Sequence, residues 1–346
     1  MKPVFEQYKK FPPSRYMGSK NKIIKDLFTV FKDIKFESAL DLFSGSASVS
    51  YLLKSMGKKV ISNDYMSFSA NISKSIIENS NIKLNNQDIN ILLKKPKKYN
   101  KFVQEKFKDI FYKDSDNNFI DVVRHNIRKL KNPHKKSLAF ASLVKACQKK
   151  QPRGLFTFKG FRYDDGRLDL KKTIKEQFIE SIKVFNDSVF NNKKKNISLN
   201  KNFTEVNTKA DLIYIDPPYF SKLSDNGYIR RYHFIEGLVK SWQGLEIQEK
   251  SVVKKFKNYP SMFDTELGSK KAIRHLISKY SKKIIIFSYS SNSLPSLDFF
   301  KKTAKENKMK IRIKKINYTY SFGTQKKNSL MKNKVDEYII IINKNG

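Results

Sequence analysis

The stretch DLIYIDPPYF, residues 211–220, sets an apolar, β-branched run directly against two prolines. Proline fixes φ and donates nothing to a strand ladder, so a strand entering at Asp211 has to stop at Asp216. The run is short and apolar on every position, the pattern of a parallel strand buried on both faces. Other runs repeat it: ALDLF (39–43), KKVISND (58–64) and KKIIIFSY (282–289). A last pair, KIRIKKINYTYSF (310–322) and DEYIIIIN (336–343), alternates more and predicts an antiparallel hairpin at a sheet edge. Helical patterns fall between the strands, such as ASVSYLLKSMG (47–57), with Gly57 as a cap. The expected fold is α/β: a doubly wound, mostly parallel, Rossmann-like sheet with an antiparallel C-terminal edge hairpin.

From about Ile72 to Asn196 the strand rhythm lapses into basic, mostly helical sequence. The division expected is therefore a sheet-forming domain of 1–71 and 197–346, the one that would carry any ligand site at its strand ends, with an insertion at 72–196. No internal repeat interrupts it.

The 346 residues carry 71 Lys and Arg against 32 Asp and Glu, a net charge of +39. An excess that large points to a polyanion, with nucleic acid the first candidate. The lone cysteine, Cys147, excludes an internal disulfide and fits a reducing compartment. The apolar runs are too short to span a bilayer, and the N-terminus lacks a signal-peptide core, so a cytoplasmic protein is expected.

Three features carry chemistry. DLFSGSASVS (41–50) follows a strand and opens a helix, so its small residues let a ligand approach the backbone. With Gly45 its sole glycine, it is no dinucleotide fingerprint. Asp64 ends the next strand at a spacing suited to ribose hydroxyls, although an Asp there also suits a helix cap. In DPPY, Asp216 and the carbonyl of Pro217 are two acceptors held still by Pro217 and Pro218, and Tyr219 adds a flat ring. These match an exocyclic amine of adenine or cytosine, stacked on the ring and directed to attack an electrophilic methyl group. Such a base must first leave the duplex.

In this order the motifs resemble those of the amino-methylating DNA methyltransferases, especially the alpha-class, Dam-like adenine-N6 enzymes. RYMGSK (15–20) is similar to the N-terminal cofactor motif, DLFSGSAS to the motif I loop and DPPY to the catalytic motif. RGLFTFKGFRYDDG (153–166) is a weaker match to a stretch of the target-recognition insertion. The resemblance implies S-adenosylmethionine as cofactor, held by Tyr16, Lys20, Asp41, Phe43, Gly45, Asp64 and Asp216, with Phe203 a stacking candidate. It implies catalysis by Asp216, Pro217, Pro218 and Tyr219, without a metal, on double-stranded DNA. Arg153, Arg230, Arg231 and His233 become DNA contacts, the last three in a substrate-side loop at 228–242. A separately encoded restriction endonuclease is the partner such enzymes imply. Asp before the prolines favours adenine over cytosine-N4, and the intact motif disfavours a catalytically silent DNA-binding protein on the same fold. Two departures are Ala47, where the family usually has glycine, and Leu42, near its proline. A positive φ at Ala47 would strain the turn.

Overall fold

The structure is a computed structural model describing residues 2–160, 167–221, 227–319 and 334–344. Among the described residues there are seven strands, the first six separated by helical segments: β1 (Ser38–Asp41), β2 (Lys59–Asn63), β3 (Ile197–Leu199), β4 (Leu212–Ile215), β5 (Ile284–Ser290), β6 (Lys310–Thr319) and β7 (Lys334–Asn343). Their order in the sheet is β3-β2-β1-β4-β5-β7-β6. β4 lies parallel to β1 and β5, and β2 parallel to β3. β7 runs antiparallel to β5 and to β6. The expected mostly parallel α/β fold with an antiparallel edge is therefore the fold observed, and residues 320–322 of the expected hairpin lie outside the described residues.

The chain forms two compact units, Met1–Asn21, Ser44–Asn202 and Tyr228–Asn258 in the first, and Lys22–Phe43, Phe203–Gly227 and Tyr259–Gly346 in the second. In the second unit all four residues of β4 are buried, as are all but the first of the seven in β5, which explains their unbroken apolar sequence. The edge strand β6 intersperses exposed Lys310, Arg312 and Lys315 with isoleucines, charges that discourage another strand from pairing there.

In the first unit, every regular element described between residues 79 and 196 is helical. The longest, Pro133–Lys149, starts with proline at its first turn, and the Asn132 side chain accepts from the amides of His134 and Lys135. Ile174–Ser188 opens with a Thr173–Glu176 capping box and buries Ile174, Phe178, Ile182 and Phe185 along one face. Cys147 is fully buried. Among the described residues, no helix is long and apolar enough to cross a membrane.

Candidate active site

In the first unit three distant segments converge on Gly45. The Asp64 carboxylate accepts from the Gly45 amide at 2.8 Å and, through its other oxygen, from the Met66 amide at 2.8 Å. The ring of Tyr16 covers the loop so closely that a methyl group added at Gly45 would sit 2.8 Å from it. The Ser19 and Ser46 hydroxyls meet at 3.1 Å, and the Lys20 ammonium, nearly buried, donates to the Gly18 carbonyl. RYMGSK, the small-residue loop and Asp64 thus form one network, although 19 residues separate Gly45 from Asp64 alone.

The loop adopts the strained form. Gly45 has φ of 50° and Ala47 a φ of 64°, so a residue with a Cβ caps the helix Ser48–Ser55 in the left-handed region. That conformation costs roughly 1–2 kcal/mol for a non-glycine residue.

Burial shapes the chemistry of this network. It pushes the Asp64 carboxyl up to about 7, against the opposing pull of the Gly45 and Met66 amides. Burial, and then the nearby Asp64, raise the Tyr16 phenol well above its usual range. Each oxygen of Asp64 accepts one backbone hydrogen bond and keeps lone pairs for a hydroxyl donor. A ribose diol, with two O–H donors, fits that acceptor set.

In the second unit, β4 stops at Ile215 and the chain leaves it through Asp216, Pro217, Pro218 and Tyr219 without regular structure. The Tyr219 hydroxyl donates to the Asp216 carboxylate at 2.7 Å. The Tyr219 ring also packs edge-on against Tyr289 of β5, 5.3 Å between centroids. Phe220 bridges to Leu294, whose amide donates to its carbonyl at 2.9 Å. Asp41 is buried at the end of β1. Phe43 and Phe203 pack together at 5.5 Å, and both meet Phe263, at 5.6 Å each. Phe263 and Tyr289 carried no signal beyond being aromatic, since only the folded chain brings them to these motifs.

The expected DNA contacts separate. Arg153 and Arg230 are exposed. Arg231 is half-buried, and its guanidinium approaches the Met17 sulfur at 3.0 Å. His233 is fully buried and donates from Nε2 to the Phe156 carbonyl at 2.9 Å, so its side chain packs the interior. Burial depresses that imidazole to about 4, keeping it neutral. The segment expected as a loop at 228–242 is largely a helix, Tyr228–Lys240, because its apolar residues recur at helical spacing and bury Ile229, Tyr232, Phe234, Ile235 and Leu238. Residues 161–166 of the weaker motif lie outside the described residues.

Comparison with known proteins supplies the chemistry. A family model described as D12 class N6 adenine-specific DNA methyltransferase matches residues 16–289. The chain is 26% identical over 295 residues to the type II methyltransferase M2.HphI of Haemophilus parahaemolyticus, covering 81% of this chain and 82% of that protein. It is 26% identical over 331 residues to the modification methylase StsI of Streptococcus sanguinis, and 25% identical over 307 residues to the type II methyltransferase M.FokI of Planomicrobium okeanokoites. These matches cover 88% and 81% of this chain, but span only about half of each relative, 48% and 45%.

Proposed function

We propose, from the premise that this chain belongs to the D12 class N6 adenine-specific DNA methyltransferase family, that its methyl donor is S-adenosylmethionine and that the residues above divide the work. The chain is a DNA methyltransferase acting on the N6 amino group of adenine. Bound S-adenosylmethionine supplies a sulfonium methyl carbon open to in-line displacement. Asp64 accepts from the ribose hydroxyls, Tyr16, Lys20 and Gly45 line the same pocket, and Asp41, Phe43 and Phe203 serve the cofactor as well. Asp216 and the Pro217 carbonyl accept the two hydrogens of the flipped adenine's amine. They thereby orient its lone pair and stabilise the charge that develops on it. Tyr219 stacks on the base, and Pro218 with Pro217 keeps the acceptors still.

The observation that carries this reading is the exit from β4. A fully buried strand delivers an acid, two prolines and a ring in immediate succession, with the ring's hydroxyl already hydrogen-bonded to the acid. Asp216→Ala should reduce transfer of labelled methyl to duplex DNA by about a thousandfold or more, because base orientation and charge stabilisation are lost together. Its salt-dependent DNA affinity should stay close to that of the parent, since basic residues supply it. Transfer that survives the substitution would overturn the assignment.

The helical, basic segment 72–196 is assigned to target recognition, with the exposed Arg153 and Arg230 and the half-buried Arg231 as further contacts to double-stranded DNA. The type II relatives support a place in a cytoplasmic restriction-modification system, with a separately encoded endonuclease cutting the same unmethylated site. Mapping methylated positions in the DNA of a host expressing the chain, and challenging that DNA with an endonuclease that cuts the mapped site only when unmethylated, tests both.

A further inference from the structure

We propose that the helix Tyr228–Lys240 sets the geometry of the cofactor site, with Glu236 and Tyr232 as positioning residues; this rests on the assignment of Asp64 and Tyr16 to the cofactor. Tyr228, Tyr232 and Glu236 recur every four positions and so share one face of the helix. Each of them holds a cofactor segment by its backbone.

Glu236 is fully buried, and its two carboxylate oxygens accept from the amides of Ser67 and Phe68, both at 3.0 Å. Those amides open the helix Ser67–Ser73, immediately after the turn that carries Asp64. The donors of this turn are shared between two acids: Met66 serves Asp64, while Ser67 and Phe68 serve Glu236. Burying a carboxylate is costly without such partners, and an apolar side chain would fill the same space at no such cost. What the carboxylate adds is a fixed direction for residues 64–68.

Tyr232 does the same for RYMGSK. Its ring lies flat on Tyr16, 5.4 Å between centroids and 5° between planes. Its hydroxyl accepts from the Met17 amide at 2.7 Å, and Tyr228 donates to the Met17 carbonyl at 3.3 Å. Both polar groups of the Met17 backbone are therefore held from one helix, which fixes Tyr16 on one side and Gly18 on the other.

The experiment is steady-state kinetics of the full chain on duplex DNA, with S-adenosylmethionine varied, for Glu236→Gln, Tyr232→Phe and Asp64→Ala. Glutamine offers one acceptor where the carboxylate offers two, and phenylalanine keeps the ring but loses the acceptor for Met17. Each should raise KM for S-adenosylmethionine about tenfold, the scale of one lost hydrogen bond to a charged or buried group. kcat at saturating cofactor and affinity for DNA should each stay within about twofold. A loss of active fraction alone would instead lower kcat and leave KM unchanged, which overturns the positioning role. If Glu236→Gln fails to fold, Tyr232→Phe decides the matter, because it keeps all but one atom of the packed ring. Asp64→Ala separates the two readings. If it abolishes cofactor binding while both other variants keep the parental KM, the positioning role fails and the cofactor assignment stands. If it leaves binding intact, the cofactor assignment itself is wrong.

Discussion

Asp64 and Asp216 each follow the last residue of a parallel strand, and the chain restrains them by opposite means. Asp64 is fixed by its surroundings: Gly45 lies 19 residues before it, Tyr16 covers the loop, and Glu236 braces the turn from much later in the sequence. Asp216 is fixed by its own neighbours, two prolines on one side and a tyrosine hydroxyl three residues on. A network of that kind is stiff only while every member is present, whereas a proline pair is stiff even in the unfolded chain. Substitutions far away in sequence should therefore disturb the turn at Asp64 and leave the turn at Asp216 alone.

Asp216→Ala marks the largest expected effect, on turnover. Asp64→Asn comes next. Loss of the charged acceptor should weaken S-adenosylmethionine binding about 10- to 100-fold by calorimetry, with the residual turnover rate at saturation less affected. Equal losses in binding and in turnover would mean that the two acids do not divide the work.

Asp64 also carries a pH signature. Its folded carboxyl is raised from 3.8 to about 7, mainly by burial, so between those values the folded chain holds a proton that the unfolded chain has lost. This group's contribution to stability is thus full below about pH 4 and is lost as pH rises through 7. Hydroxyl donors favour the carboxylate, so cofactor affinity should run the other way. Binding at pH 6 should be about tenfold weaker than at pH 8, with a proton released on binding at the lower pH. A flat profile across this window, checked in two buffers, would remove Asp64 from the cofactor. Asp64→Asn should itself flatten it.

Smaller effects sharpen the contrast. Tyr219→Phe keeps the stacking ring and deletes the hydroxyl on Asp216, so kcat should change by less than about tenfold and Tyr219→Ala by much more. Ala47→Gly should stabilise the chain by about 1 kcal/mol, because glycine takes the observed φ of 64° without the Cβ clash. A loss of melting temperature in that variant would show that the turn is not strained.

The strands were readable because β4 and β5 are buried on both faces, leaving unbroken apolar runs. β3 was not readable as an independent strand: it has three residues, all half-buried, and takes its place from pairing with β2. The DPPY turn was legible because its restraints are local and written in proline. The braces of the turn at Asp64 were not, since Glu236 meets its partners across 168 and 169 positions. In residues 228–242 the spacing of Ile229, Tyr232, Ile235 and Leu238 is a helix signal, but the burial of His233 and Glu236 depends on partners far away in sequence and only the fold shows it.

The hydroxyl of Tyr219 on Asp216 has a consequence for selectivity. If Asp216 receives the base as proposed, the hydroxyl takes one of the several lone pairs a carboxylate has and need not be displaced, so an entering base gains there by bringing a hydrogen of its own. Adenine and cytosine carry an amine that does so. Thymine presents a carbonyl oxygen in that place, which the acid repels. The tyrosine thus sets the direction from which the acid meets a base, and only bases that bring a proton to share are held there.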